Sequence, residues 1–190
     1  IAKAAAASHG VDPSLFAAQI RQESAFDPGA RSPAGALGIA QIVSEYHPNV
    51  DPWDPQAALD YAATLMGYFL DEFDGDEDAA LAAYNAGEGT VKNLRTAYGD
   101  RWRDYLPTET RNYLAIIQAG RSRYATGPTP APSSHAAAPR GQEPAWLDAG
   151  ARPTSEAPRK LYGREAPLTP PTTRPRGISF PHPHAPQFTG

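Results

Sequence analysis

Over about the first 125 residues, apolar positions recur at helical spacing. Phe16, Ile20 and Glu23 stand at i, i+4 and i+7 and share one face of a segment opened by Asp12-Pro13. Such a pair puts a side-chain acceptor at the N-cap and a ring-fixed residue at the first helical position. That helix is predicted to run to about Ser24. Asp54-Pro55 repeats the signal, and Ala58, Ala62, Leu65, Met66, Phe69 and Phe73 then fall on one stripe. Asp76 is placed to cap a further helix through Tyr84, and a short one is expected from about Thr90 to Tyr98. Thr108 is read as the cap of a last helix, with Glu109 in its first turn and Tyr113, Ile116, Ile117, Gly120 and Tyr124 on its apolar stripe. Between the first two long helices, Asp27-Pro28-Gly29 and Ser32-Pro33 mark a loop. A short helix is expected over Ala36 to Ile42, then irregular chain through Trp53. No run alternates with period two over strand length, so the pattern predicts an all-α domain.

Composition divides the chain near Gly127. Fourteen of the 21 prolines lie from Pro128 onward. Residues 1–126 carry 10 Lys/Arg and 17 Asp/Glu, a balance of −7, whereas residues 127–190 carry 7 and 4, a balance of +3. The domain is therefore expected over 1–125. Residues 126–190 read as a Pro-rich, basic, mostly disordered tail or linker, because few branched aliphatics are available there to offset the entropy of ordering. The acidic domain gives no reason to expect nucleic-acid binding. No apolar stretch is long enough to span a membrane. The chain has no cysteine, which excludes disulfides and thiolate chemistry. It begins with isoleucine and shows no signal peptide, so it reads as a mature product or an excised piece.

Candidate chemistry lies in short fragments: Gln22-Glu23-Ser24, Gly35-Ala36-Leu37-Gly38-Ile39-Ala40-Gln41-Ile42, Ala83-Tyr84-Asn85-Ala86-Gly87, and Pro107-Thr108-Glu109-Thr110-Arg111-Asn112-Tyr113. Read alone, Glu23 is a carboxylate near a helix end. Burial beside Phe16, Ile20 and Phe26 and the negative end of its helix would both favour its neutral form over the usual carboxylate pKa of about 4.3. Gly35 and Gly38 serve turn chemistry or a close backbone approach. Gly87 suits the end of a helix. Tyr113, on an apolar stripe, needs a partner for its hydroxyl.

In this order the fragments resemble the soluble lytic transglycosylases of the lysozyme-like superfamily. The resemblance covers about two-thirds of the chain and implies an all-α, lysozyme-like domain with a substrate groove. It implies Glu23 as the sole catalytic acid/base, and Ser24, Gln41, Tyr84, Asn85 and Tyr113 as substrate-binding or site-lining residues, with the Tyr113 hydroxyl directed at Glu23. The chain departs from the family pattern at Ile39 and Ala40, where Leu and Met are common. The implied partner is the peptidoglycan glycan strand, cleaved between N-acetylmuramic acid and N-acetylglucosamine without cofactor or metal. Glu23 would first protonate the leaving oxygen and then accept the proton of the C6 hydroxyl, giving a 1,6-anhydro sugar. The alternatives are a goose-type-like hydrolase and a wall-binding or virion module without turnover. An extracytoplasmic or phage virion-associated location fits all three, and the tail reads as a link to another domain or a contact with wall polymer.

Other polar groups carry no motif. Asp27, Glu45 and Asp51 lie in loops without a pattern that marks a second catalytic carboxyl. His47, Asp51 and Asp54 match no metal-ligand spacing. The acidic run Asp71 to Asp78 is out of register for a calcium loop and reads as a solvated turn.

Overall fold

The computed structural model describes residues 1–125, and the predicted tail over 126–190 lies outside the described residues. Six α-helices follow one another: α1 (Ala2–Ser8), α2 (Pro13–Ser24), α3 (Pro55–Glu72), α4 (Glu77–Ala86), α5 (Glu88–Tyr98) and α6 (Thr108–Gly120). Short 3-10 turns span Gly99–Tyr105 and Arg121–Tyr124. Among the described residues there is no strand, only isolated antiparallel bridges in the loop after α2. No described helix is long and apolar enough to cross a membrane.

Three aspartates start helices as the sequence predicts. Asp12 accepts from the amides of Ser14 and Leu15, Asp54 from Gln56 and Ala57, and Asp76 from Ala79. Each satisfies donors that a helix start leaves without an intrahelical partner. Asp12 also faces Arg121 at 3.3 Å, tying the start of α2 to the last turn of the described chain. Burial raises the Asp12 pKa. The Ser14 hydroxyl, the Leu15 amide and Arg121 outweigh that and leave it below the ordinary carboxylate value.

The core forms where α2, α3, α4 and α6 meet, around Leu15, Phe16, Ile20, Leu59, Met66, Phe69, Leu81 and Ile117. Helix α4 is buried at every position from Ala79 to Ala86. Its alanines are small enough for neighbours to pack around the whole helix, which is why it has no polar face there.

Three expectations are corrected, and one helix is added. Ala36 to Ile42 is not a helix: Leu37 bridges to both Arg31 and Ile42, and Gly35, Gly38 and Gln41 take positive φ values of 85°, 70° and 52°. A right-handed helix cannot pass through such residues. Thr108 does not cap α6; Pro107 stands at the N-cap, and the Thr108 hydroxyl accepts from Arg111 at 3.1 Å. Ile116 is 52% exposed, and the buried face of α6 is Thr110, Tyr113, Leu114 and Ile117. Those positions form one stripe at 100° per residue, and Ile116 falls about 60° beyond its edge. Finally, α1 was not foreseen. Its Ala5 and Ala6 are buried, and its C-terminal end abuts α3, where a Cβ on Gly67 would lie 2.8 Å from the His9 carbonyl oxygen.

Candidate active site

Glu23 occupies the last turn of α2 and is half-buried. Immediately after it the chain reverses. Ala25 and Phe26 both adopt left-handed backbone, with φ of 56° and 66°. Left-handed conformations cost a non-glycine residue about 1–2 kcal/mol each and persist only where the surroundings impose them. Phe26 itself is 37% exposed and packs edge-on against Tyr124, 6.0 Å between ring centroids. The expected share of Phe26 in burying the acid is therefore small.

Tyr113 reaches Glu23 from α6, ninety positions away, and its hydroxyl donates to Oε1 at 2.7 Å. Burial, and then the charge of Glu23, push the phenol pKa well above its ordinary value. Tyr113 thus keeps its proton at any physiological pH and acts on the carboxylate only as a neutral donor. The buried Tyr84 is shifted upward too, by burial first, then by Glu23 and Tyr61. Its hydroxyl donates to the Ala40 carbonyl at 2.9 Å. Two phenols therefore stand within electrostatic reach of one carboxyl, one donating to it and the other anchored to the loop beside it.

That loop is held by its own backbone. The Ser24 hydroxyl donates to the Ile39 carbonyl at 2.7 Å, and Tyr84 takes the next carbonyl. Successive carbonyls thus tie the loop to α2 and α4. Gly38 makes the approach possible, since a Cβ there would lie 1.8 Å from the Pro52 carbonyl oxygen. The Ile39 and Ala40 side chains, where the chain departs from the resemblance, are both buried. Gln41 is buried and turns its amide back to the Gly38 carbonyl at 3.0 Å.

Asn85 is 8% exposed at the end of α4, and its Oδ1 accepts from Thr110 Oγ1 at 2.8 Å. Thr110 lies one turn before Tyr113, so this bond sets α4 against α6 at the level of the acid. It leaves the Asn85 Nδ2 hydrogens without a hydrogen bond among the described residues. Among the predicted residues, Glu23, Tyr84 and Tyr113 come together, Asn85 is joined to α6 through Thr110, and Ser24 and Gln41 brace the loop after α2.

Two of the loop carboxylates bond to nearby backbone amides. Asp27 accepts from the Gly29 amide and Asp51 from the Trp53 amide. Asp76 and Asp78 pair with Arg103 at 2.7 and 2.9 Å, so part of the acidic run braces α4. Among the described residues no three His, Asp or Glu side chains gather as a metal site.

Two features escaped the sequence reading. His47 Nδ1 and the Tyr61 hydroxyl meet at 2.7 Å, linking the loop after Gln41 to α3, and burial pushes the Tyr61 phenol up to about 12. No local pattern could have paired them. Gln19 is fully buried one turn before Glu23, with no hydrogen-bond partner for either amide atom. The available signal was a polar residue among apolar ones in a core-facing helix.

The chain is similar to several known proteins. Peptidoglycan transglycosylase gp16 of Escherichia phage T7 is 33% identical over 121 residues, which cover 58% of this chain and 9% of that protein. Membrane-bound lytic murein transglycosylase D of Escherichia coli is 39% identical over 112 residues, 51% of this chain and 25% of that one. The crystal structure of an inactive mutant of lytic transglycosylase Slt from Pseudomonas aeruginosa superposes with a TM-score of 0.56 at 27% identity, covering 64% of this chain and 22% of that chain. The chain thus spans a quarter or less of the length of these relatives. The sequence profile of the Transglycosylase SLT domain matches residues 1–105, more than half of the chain, and this protein belongs to that family.

Proposed function

We propose that this domain cleaves the glycan strands of peptidoglycan at the N-acetylmuramic acid to N-acetylglucosamine bond by lytic transglycosylation, with Glu23 as acid and then base. The observation that carries this reading is the 2.7 Å bond from the buried Tyr113 hydroxyl to the half-buried Glu23 carboxyl. A neutral donor on the carboxyl fixes its orientation without neutralising it. Protonated Glu23 gives its proton to the glycosidic oxygen as the C1–O bond breaks, and the substrate's acetamido group steadies the developing cation. The carboxylate then takes the proton of the C6 hydroxyl as that oxygen bonds to C1. The acid is regenerated, no water is consumed, and the product ends in a 1,6-anhydro sugar. Asn85 supports the assignment because its amide hydrogens can bind an N-acetyl carbonyl, while Ser24, Gln41 and Tyr84 fix the floor on which the sugar rests. Glycosidases that hydrolyse their substrate more commonly use two carboxyls.

The substrate places the site of action outside the cytoplasm, in an exported protein or in a phage particle. Residues 126–190 would then serve as a linker to a further part of the protein, or as a weak basic contact with anionic wall polymer.

Mass spectrometry of digested peptidoglycan is expected to show anhydro-muropeptides. Oxygen-18 from labelled water at the new ends would assign hydrolysis instead. Glu23→Gln keeps the size and the bond from Tyr113 and is expected to abolish lysis with the fold intact. Appreciable residual lysis would reject Glu23 as the acid.

A further inference from the structure

Gln19 is the unexplained group in this core. Both of its amide atoms are buried without a hydrogen-bond partner, the only such side-chain atoms among the described residues. An unpaired buried amide costs roughly 1–3 kcal/mol, so an apolar residue of the same size would stabilise the domain more. A local rule broken without structural gain marks a functional position. The place fits that inference. Gln19 lies four residues before Glu23 on the same face of α2, and α6 packs against α2 there with Tyr113 aimed at the acid. The Gln19 amide also acts on the Tyr113 phenol as a donor, opposing the upward push of burial and of Glu23. No hydrogen bond joins the two residues as they stand, so this role requires a change of the Gln19 rotamer that brings its amide onto the phenol oxygen.

We propose that Gln19 is a positioning residue whose amide Nε2 occupies a lone pair of the Tyr113 oxygen, so that the tyrosine hydrogen stays turned toward Glu23 through both halves of the reaction.

This role rests on the acid/base function proposed for Glu23 and on the hydrogen-bond capacity of a phenol. Tyr113 has one hydrogen and lone pairs on one oxygen. While Glu23 is ionised, the hydrogen has an obvious acceptor. Once Glu23 is protonated, the phenol can rotate and accept the acid's own hydrogen, which then faces away from the glycosidic oxygen. An amide N–H already bonded to the phenol oxygen opposes that rotation. It keeps Tyr113 donating to one carboxyl oxygen and leaves the acid hydrogen on the other. It also polarises the phenol, which strengthens the bond to the carboxylate. Gln19 touches no sugar in this scheme and acts only through Tyr113.

Gln19→Met preserves volume and flexibility and removes the donor. Three outcomes are expected. The thermal midpoint holds or rises. The turnover rate on purified peptidoglycan falls about 10-fold, the rate equivalent of one net hydrogen bond. The alkaline limb of the pH–rate profile moves to higher pH, because the carboxylate loses support and the acid gains an acceptor. In a Tyr113→Phe background, Gln19→Met is expected to change neither rate nor profile, since the path runs through the hydroxyl. A carbon-13 NMR titration of the labelled Glu23 carboxyl reads the same coupling without turnover. It separates this inference from the enzymatic one: an inactive wild-type chain whose Glu23 titration still shifts with Gln19 sinks only the activity. The positioning role is overturned if Gln19→Met leaves the Glu23 titration in place, or shifts it equally with Phe at position 113.

Discussion

Gly35 and Gly38 offer a matched pair for testing what holds the loop beside the acid. Both have positive φ, 85° and 70°, so alanine at either meets the same left-handed penalty of about 1–2 kcal/mol. They differ in space. A Cβ on Gly35 meets nothing within 4 Å, whereas a Cβ on Gly38 lies 1.8 Å from the Pro52 carbonyl oxygen and 2.9 Å from its carbon. Contacts under 3.0 Å are essentially never seen for real Cβ atoms, so one backbone must move by more than an ångström. Gly38 cannot yield freely, because its amide bonds the Ala30 carbonyl at 2.8 Å and its carbonyl accepts from the Gln41 amide at 3.2 Å. Forced repacking of this kind adds roughly 1–3 kcal/mol. Gly35→Ala is therefore expected to cost about 1–2 kcal/mol and Gly38→Ala about 2–5 kcal/mol, read by urea unfolding with unchanged m-value. Function should divide more sharply than stability. Displacing Gly38 displaces the Ile39 and Ala40 carbonyls that anchor Ser24 and Tyr84, so Gly38→Ala should lose most of its lytic rate on purified peptidoglycan while Gly35→Ala keeps it. Equal unfolding free energies for the two variants would refute the argument from the Pro52 contact. A fully active Gly38→Ala would refute the claim that the loop backbone sets the site.

Tyr84→Phe leaves the buried Ala40 carbonyl without its donor and is expected to lower stability by about 1–3 kcal/mol in chemical denaturation, an effect absent if that bond is incidental. Asp12→Ala removes the N-cap of α2 and is expected to cost about 0.5–2 kcal/mol near pH 7. Because the folded Asp12 pKa lies below its unfolded value, the charged part of that stability is present above the unfolded pKa of about 3.9 and is lost as pH falls through the folded one. Asp12→Asn keeps much of the cap but should flatten that acid-side dependence in denaturation curves taken from pH 5 to 2. Truncation after Ala125 is expected to leave the melting temperature of the domain unchanged, and a large drop would show that the removed residues dock on it.

Much of this protein was legible along the chain because helices and caps are local. The aspartates at 12, 54 and 76 each precede their helix by one residue, and the stripe from Ala58 to Phe73 is buried as its spacing predicts. The candidate acid, Glu23, was marked by short-range motifs in the same way. The site itself was not local. Tyr113 lies beyond the segment matched by the family profile, and only the packing of α6 against α2 delivers its hydroxyl to Glu23. The loop over 36–42 has helix-forming residues, yet its bridges and the closeness of Pro52 to Gly38 impose left-handed backbone that propensity does not encode. Ile116 and Leu114 are equally apolar, and which of them is buried depended on where α2 and α4 meet α6. Gln19 shows the same division: the sequence supplies an amide, but its burial beside Tyr113 follows from helices far apart in the chain closing on one carboxyl group.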